Sequence, residues 1–169
     1  VAVPAPYASV DIGVVGMPGS SGQVNTSTTT QLFVKGGGAD IWGMADAFHF
    51  LHRPVRGDVE TEVKIMAIDR TDANTKVGIM FRDSTAADAN NAFILLSPNL
   101  RGPRLQFRDK SKQLLTGFQD MPGDMAFPTP LWLRMVRVGN IFTAYSSSTG
   151  APGSWLKIGE QTVMLPPDV

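Results

Sequence analysis

An all-β sandwich is the fold class this sequence predicts, and three observations carry the prediction. Apolar and polar residues alternate with period two in short runs, the pattern of half-buried strands. Seventeen glycines and twelve prolines punctuate those runs at close intervals. No window long enough to matter shows the 3.6-residue period of an amphipathic helix.

The runs follow in chain order. Ser20 to Thr30 is rich in Ser, Thr, Gly and Asn and reads as a mobile loop or weak edge strand. The glycine triplet Gly36–Gly38 then opens a strand-like stretch up to Phe50. In Asp58–Ile68, Val59, Thr61, Val63, Ile65 and Ala67 point one way, and Glu60, Glu62, Lys64, Met66 and Ile68 point the other. Further strands are predicted at Lys76–Arg82, Asn91–Ser97, Arg104–Asp109, Gln113–Phe118, Trp132–Val138, Ile141–Ser147 and Leu156–Leu165. Between the first and second of these, Ser84–Asn91 is alanine-rich and has room for one helical turn. Pro98 and Pro103 break the chain before the Arg104 run, because proline cannot donate to a ladder. Pro122 to Pro130 holds three prolines and a glycine, and reads as a long crossover. Gly139-Asn140 tolerates positive φ at both positions and predicts a tight hairpin.

Composition bounds the rest. With 169 residues, no internal repeat and no linker, the chain predicts one domain, residues 1–169, with residues 1–9 as an N-terminal arm. A core of this size folds without disulfide or metal staples, so the absence of cysteine leaves the compartment open. Fifteen basic residues balance fifteen acidic ones, which disfavours a polyanionic partner such as nucleic acid. No apolar run reaches the length of a membrane span, and nothing at Val1 resembles a signal peptide.

The basic residues Arg82, Arg104, Arg108 and Arg134 fall on three predicted strands, on polar faces. If those strands are neighbours, they form an arginine-bearing concave surface able to hold carboxylates, sugar hydroxyls or a protein by bidentate hydrogen bonds. His49 and His52, three apart in an extended segment, point to opposite faces and do not share a metal. They read as one packed and one exposed histidine. No Ser-His-Asp arrangement, phosphate loop or dinucleotide fingerprint can be placed along the chain.

The run ADIWGMADAFHF (Ala39–Phe50), with KVGIMFRDS (Lys76–Ser84) and WLRMVRVGNIFTAYSSS (Trp132–Ser148), resembles a family of bacterial jelly rolls. These are concanavalin A-like, laminin G-like sandwiches of largely unassigned function. The resemblance covers residues 10 to 169 and implies a two-sheet antiparallel jelly roll that is exported, to the periplasm, cell surface or medium. Asp40, Trp42 and Asp46 carry over from its signature, either as a sugar-stacking tryptophan flanked by carboxylates or as a plug and two turn caps. Several glycosidases with this sandwich bear paired carboxylates on one strand. Glu60 and Glu62 share a face about 6.5–7 Å apart at Cα, within reach of a retaining geometry, and a solvated strand face explains them as well. Related sandwiches sometimes hold calcium in loops, for which Asp40, Asp46 and Asp72 are oxygen donors, but no EF-hand-like spacing is present. The chain therefore predicts no cofactor and no resident metal.

Two departures from the family matter. Its serine–aspartate–glycine turn is replaced by SSSTGAPGSW (Ser146–Trp155), and the strand that relatives place after a segment like LPPDV is absent before Val169. An unpaired edge beside Val163 and Leu165 is expected, inviting association. The functional expectation is a non-catalytic structural or docking subunit of a larger extracytoplasmic assembly, one open to membrane association but with no transmembrane segment of its own. A carbohydrate-binding module is the alternative and a glycosidase using Glu60 and Glu62 the second alternative.

Overall fold

A computed structural model describes residues 3–25, 27–112, 114–120 and 129–169. They are all-β and free of α-helix; one 3-10 turn stands at Lys110–Lys112. The chain resolves into two compact units. The first is Val1–Pro54 with Thr85–Asp88, and the second is Val55–Ser84 with Ala89–Val169.

The first unit consists of three antiparallel ladders. β1 (Ala8–Ile12) pairs with β6 (Phe48–His52), β2 (Ser20–Asn25) with β3 (Thr30–Lys35), and β4 (Ile41–Trp42) with β5 (Ala45–Asp46). The Ser20 segment is thus a strand, and β1 starts inside the predicted arm. Short strands suffice because glycines turn the chain. Gly43, at φ 63°, joins β4 to β5.

The second unit holds two four-stranded antiparallel sheets. β7 is Val59–Ile65, β8 Val77–Arg82, β9 Asn91–Leu96, β10 Arg104–Asp109, β11 Leu114–Asp120, β12 Leu131–Val138, β13 Ile141–Ser147 and β14 Leu156–Thr162. One sheet runs β11-β10-β9-β8 and the other β14-β13-β12-β7. The predicted hairpin stands at Gly139, φ 57°, between β12 and β13. The Ser84–Asn91 loop forms a tight turn without a helix. The crossover predicted at Pro122–Pro130 lies mostly outside the described residues, as does Gln113.

Period-two alternation becomes burial. Along β12, Leu131, Leu133 and Met135 are buried and Trp132, Arg134 and Val136 only partly so. The core draws on both sheets: Ile79, Phe81, Ile94, Leu96, Leu105 and Phe107 from the first, and Leu131, Leu133, Met135, Phe142 and Ile158 from the second. Such burial is worth roughly 25 cal/mol per Å² of apolar surface and outweighs any single polar contact.

The edge expected beside Val163 and Leu165 is not open. Both side chains are buried in the core. Val163 donates its N–H to the Asn140 carbonyl (2.9 Å), and the Leu165 N–H lies 3.4 Å from Asn140 Oδ1. Val169 and Val55 exchange two backbone hydrogen bonds, at 2.8 and 3.0 Å. Arg137, buried, donates to the Leu165 and Pro166 carbonyls. Backbone groups of this segment thus find partners within the chain.

Candidate functional site

The outward face of the β7–β12–β13–β14 sheet gathers the charged and aromatic residues that alternate with the core. In register across it run Glu62, Arg134, Tyr145 and Lys157; beside that row run Lys64, Trp132 and Ser147. Arg134 sits at the centre. Its guanidinium reaches Glu62 Oε1 at 2.5 Å and, through Nε, Glu60 Oε1 at 3.5 Å. Its Cζ lies 3.9 Å from the centroid of the Trp155 ring. Trp132 is covered similarly, by Lys64 Nζ 5.7 Å away and by Gly150, where a Cβ would come within 2.8 Å of the ring. At the sheet's edge Glu160 accepts from Lys157 (2.9 Å) and Thr143 (3.1 Å). The Lys157 hydrogen bond is the main reason the Glu160 carboxyl is held below, and the Lys157 amine above, their ordinary values.

Glu60 and Glu62 therefore do share a face, and both turn to one cation. Two indole faces are occupied by cations of the protein itself, which favours an ion-paired surface over a bare stacking platform.

The other arginines separate. Arg82 and Arg108 flank Asn91 in one row across β8, β9 and β10, as neighbouring strands require. They are only 4% and 2% accessible, however, and donate to the Ser84 and Ala89 carbonyls. Arg104, near the surface, holds Asp120 through Nε (2.5 Å) and NH2 (3.0 Å), and stacks 4.1 Å from the Phe118 centroid. Arg134 stands on the other sheet. The four do not make one surface.

In the first unit, Trp42 lies on the β4–β5 hairpin, 42% exposed, and does not act as a buried plug. Asp40 accepts from the Ile41 N–H (2.6 Å), its carbonyl accepts from Ala47, and Asp46 is buried with its N–H on Ala87 O. The two aspartates thus sit in turn and main-chain bonding around the tryptophan. Asp72 caps its own turn through the Asn74 N–H (2.7 Å). Among the described residues no group of three or more His, Cys, Asp or Glu could hold a metal ion.

A serine–histidine–aspartate chain, which the linear sequence does not reveal, is present here. Asp11 on β1 and His49 on β6 are directly opposed in the ladder. Asp11 Oδ1 is 2.6 Å from His49 Nδ1, and Ser21 Oγ is 3.0 Å from His49 Nε2. The Gly19 N–H bonds both carboxylate oxygens at 3.1 Å. The His49 hydrogen bond is the main cause holding the Asp11 carboxyl below its ordinary value. An ionised carboxylate only accepts, so Nδ1 carries a proton; with the ring neutral, Nε2 accepts from the Ser21 hydroxyl. That order of groups is the one that activates a nucleophile. Here the imidazole is 4% exposed, and Gly19 packs against it where a Cβ would stand 2.3 Å from the ring. Ser21 itself is 8% exposed. The chain acts as a clamp joining β1, β2 and β6. His52, on the opposite face of β6, stacks on Phe50 with centroids 5.1 Å apart.

The same β2 that the clamp holds carries the most exposed apolar strand. All six residues of β3 are exposed, including the consecutive Leu32 (46%), Phe33 (37%) and Val34 (51%). Because side chains alternate, both faces of this strand present hydrocarbon. Among the described residues, β3 pairs only with β2.

Comparison with protein-family models, curated proteins and solved structures finds no match to this chain.

Proposed function

We propose that this protein is a non-catalytic docking subunit of a larger extracytoplasmic assembly, built on a concanavalin A-like jelly roll. One observation carries the reading: β3 is exposed along its whole length with apolar side chains on both faces. An isolated two-stranded hairpin is marginal in water, and an unpaired apolar edge is a site for strand addition. The resemblance to exported jelly rolls supports the compartment, and the core drawn from two four-stranded sheets is compatible with the sandwich. No helix among the described residues is long and apolar enough to cross a membrane. Because Glu60 and Glu62 both face Arg134, a glycosidase reading gains nothing from the geometry. The test is to replace the chain in its native cells by a Leu32→Glu/Val34→Glu variant and resolve the extracts on a native gel. Wild type in a high-mass complex and the variant out of it is the expected result; the variant remaining in the complex overturns the reading.

A carbohydrate-binding module is the second reading, favoured by the exposure of Trp42 beside Asp40. Glycan-array binding that disappears in Trp42→Ala would put it first, and absence of binding at millimolar sugar would remove it.

A further inference from the structure

The exposed strand that carries the docking proposal also specifies its simplest occupant. We infer that two copies of this chain pair through β3, antiparallel across a two-fold axis, giving a continuous sheet in the order β2-β3-β3-β2. This rests on the reading of the hairpin as a docking element and names its partner.

Three observations bear on it. First, β3 ends a two-stranded ladder, so among the described residues its outer edge has no strand partner. Second, Thr30–Lys35 carries none of the devices that protect edges: it has no proline, and its one charge is the terminal Lys35. Third, the strand is self-complementary. A two-fold axis between antiparallel strands passes beside one residue and its own mate, because only alternate residues turn their backbone groups to the outer edge. An axis at Phe33 sets Phe33 opposite Phe33, and Leu32 opposite Val34, of the second copy. Lys35 then falls opposite Gln31, so the two lysines stand at opposite ends. Apolar groups meet apolar groups on both faces, and cross-strand aromatic and aliphatic pairs of this kind stabilise a ladder. An isologous two-fold contact closes after two copies and leaves no further β3 edge. With fifteen acidic and fifteen basic residues, two copies do not repel through net charge.

The absence of cysteine gives a clean test. Sedimentation of the full chain over the micromolar to millimolar range should show a reversible monomer–dimer equilibrium, and Leu32→Glu should remain monomeric with an unchanged circular dichroism spectrum. Under mild oxidation, Phe33→Cys should give a homodimer disulfide, and a mixture of the single variants Leu32→Cys and Val34→Cys should give the mixed disulfide in preference to either homodimer. A wild-type chain monomeric throughout, or a dimer that persists in Leu32→Glu, overturns the inference; Leu32→Cys or Val34→Cys homodimer disulfides in excess overturn its register. A monomeric wild-type chain whose Leu32→Glu/Val34→Glu variant still leaves the native complex would sink self-pairing alone and leave the docking proposal standing.

Discussion

At the scale of single residues, the hydrogen bond between Asp11 and His49 sets a response to pH. The Asp11 carboxyl titrates below its ordinary value of 3.8, chiefly because His49 bonds the ionised form. A group whose folded pKa is depressed contributes stability above its unfolded value and loses it as pH falls through the folded one. Wild type should therefore exceed Asp11→Asn in urea midpoint near neutrality, and the gap should close as pH drops below 3.8. A gap independent of pH would show that the clamp does not depend on the Asp11 charge. Arg134 is the second case. It is about a quarter exposed and touches two glutamates that are more so. Its coupling to Glu62 should be small, about 0.2–1 kcal/mol in a double-mutant cycle with Arg134→Gln and Glu62→Gln, because solvent screens the pair. A coupling several times larger would mean the ion pair is buried more deeply than its exposure indicates.

Among the elements, β12 is a central strand, flanked by β7 on one side and β13 on the other. Leu133 sits at its middle with no exposed surface. Leu133→Ala should cost about 2–5 kcal/mol, the transfer of the lost hydrocarbon plus a residual cavity. Denaturant unfolding measures it, and a loss under 1 kcal/mol would indicate a core able to collapse around the site. The β2–β3 hairpin is the opposite case. Its apolar residues contribute little to the folded chain by itself, so charged substitutions there should act on association before stability.

For the whole molecule, the open edge that the sequence leads one to expect is closed by Arg137 and the segment that follows β14. The guanidinium is buried, bonds the Gly139, Leu165 and Pro166 carbonyls, and is pulled below its ordinary value by that burial, with the Asp58 charge opposing. Arg137→Leu would leave carbonyls without their donors and should destabilise the protein by about 2–3 kcal/mol. Limited proteolysis should then cut first within residues 163–169. Cleavage there at the wild-type rate would show that Arg137 does not secure the segment.

The sequence by itself located the strands of the second unit, although β7 and β14 each stop three residues before their expected ends. β10 and β13 begin and end where alternation places them, and the inward parity of Val59, Val63, Leu131 and Leu133 follows the pattern, because period two is a local property of an extended chain. It also put Glu60, Glu62 and Arg134 on solvent-side faces, but could not pair them, since β7 and β12 meet only through the register of a sheet. The tertiary structure alone decided the rest. Arg82 and Arg108 were legible as polar positions, yet burial depends on what covers a face. Asp11, Ser21 and His49 lie on three strands, with 38 residues separating aspartate from histidine and 28 separating serine from it. No spacing rule joins them; the β1–β6 register and the close approach of Gly19 bring them within hydrogen-bond reach.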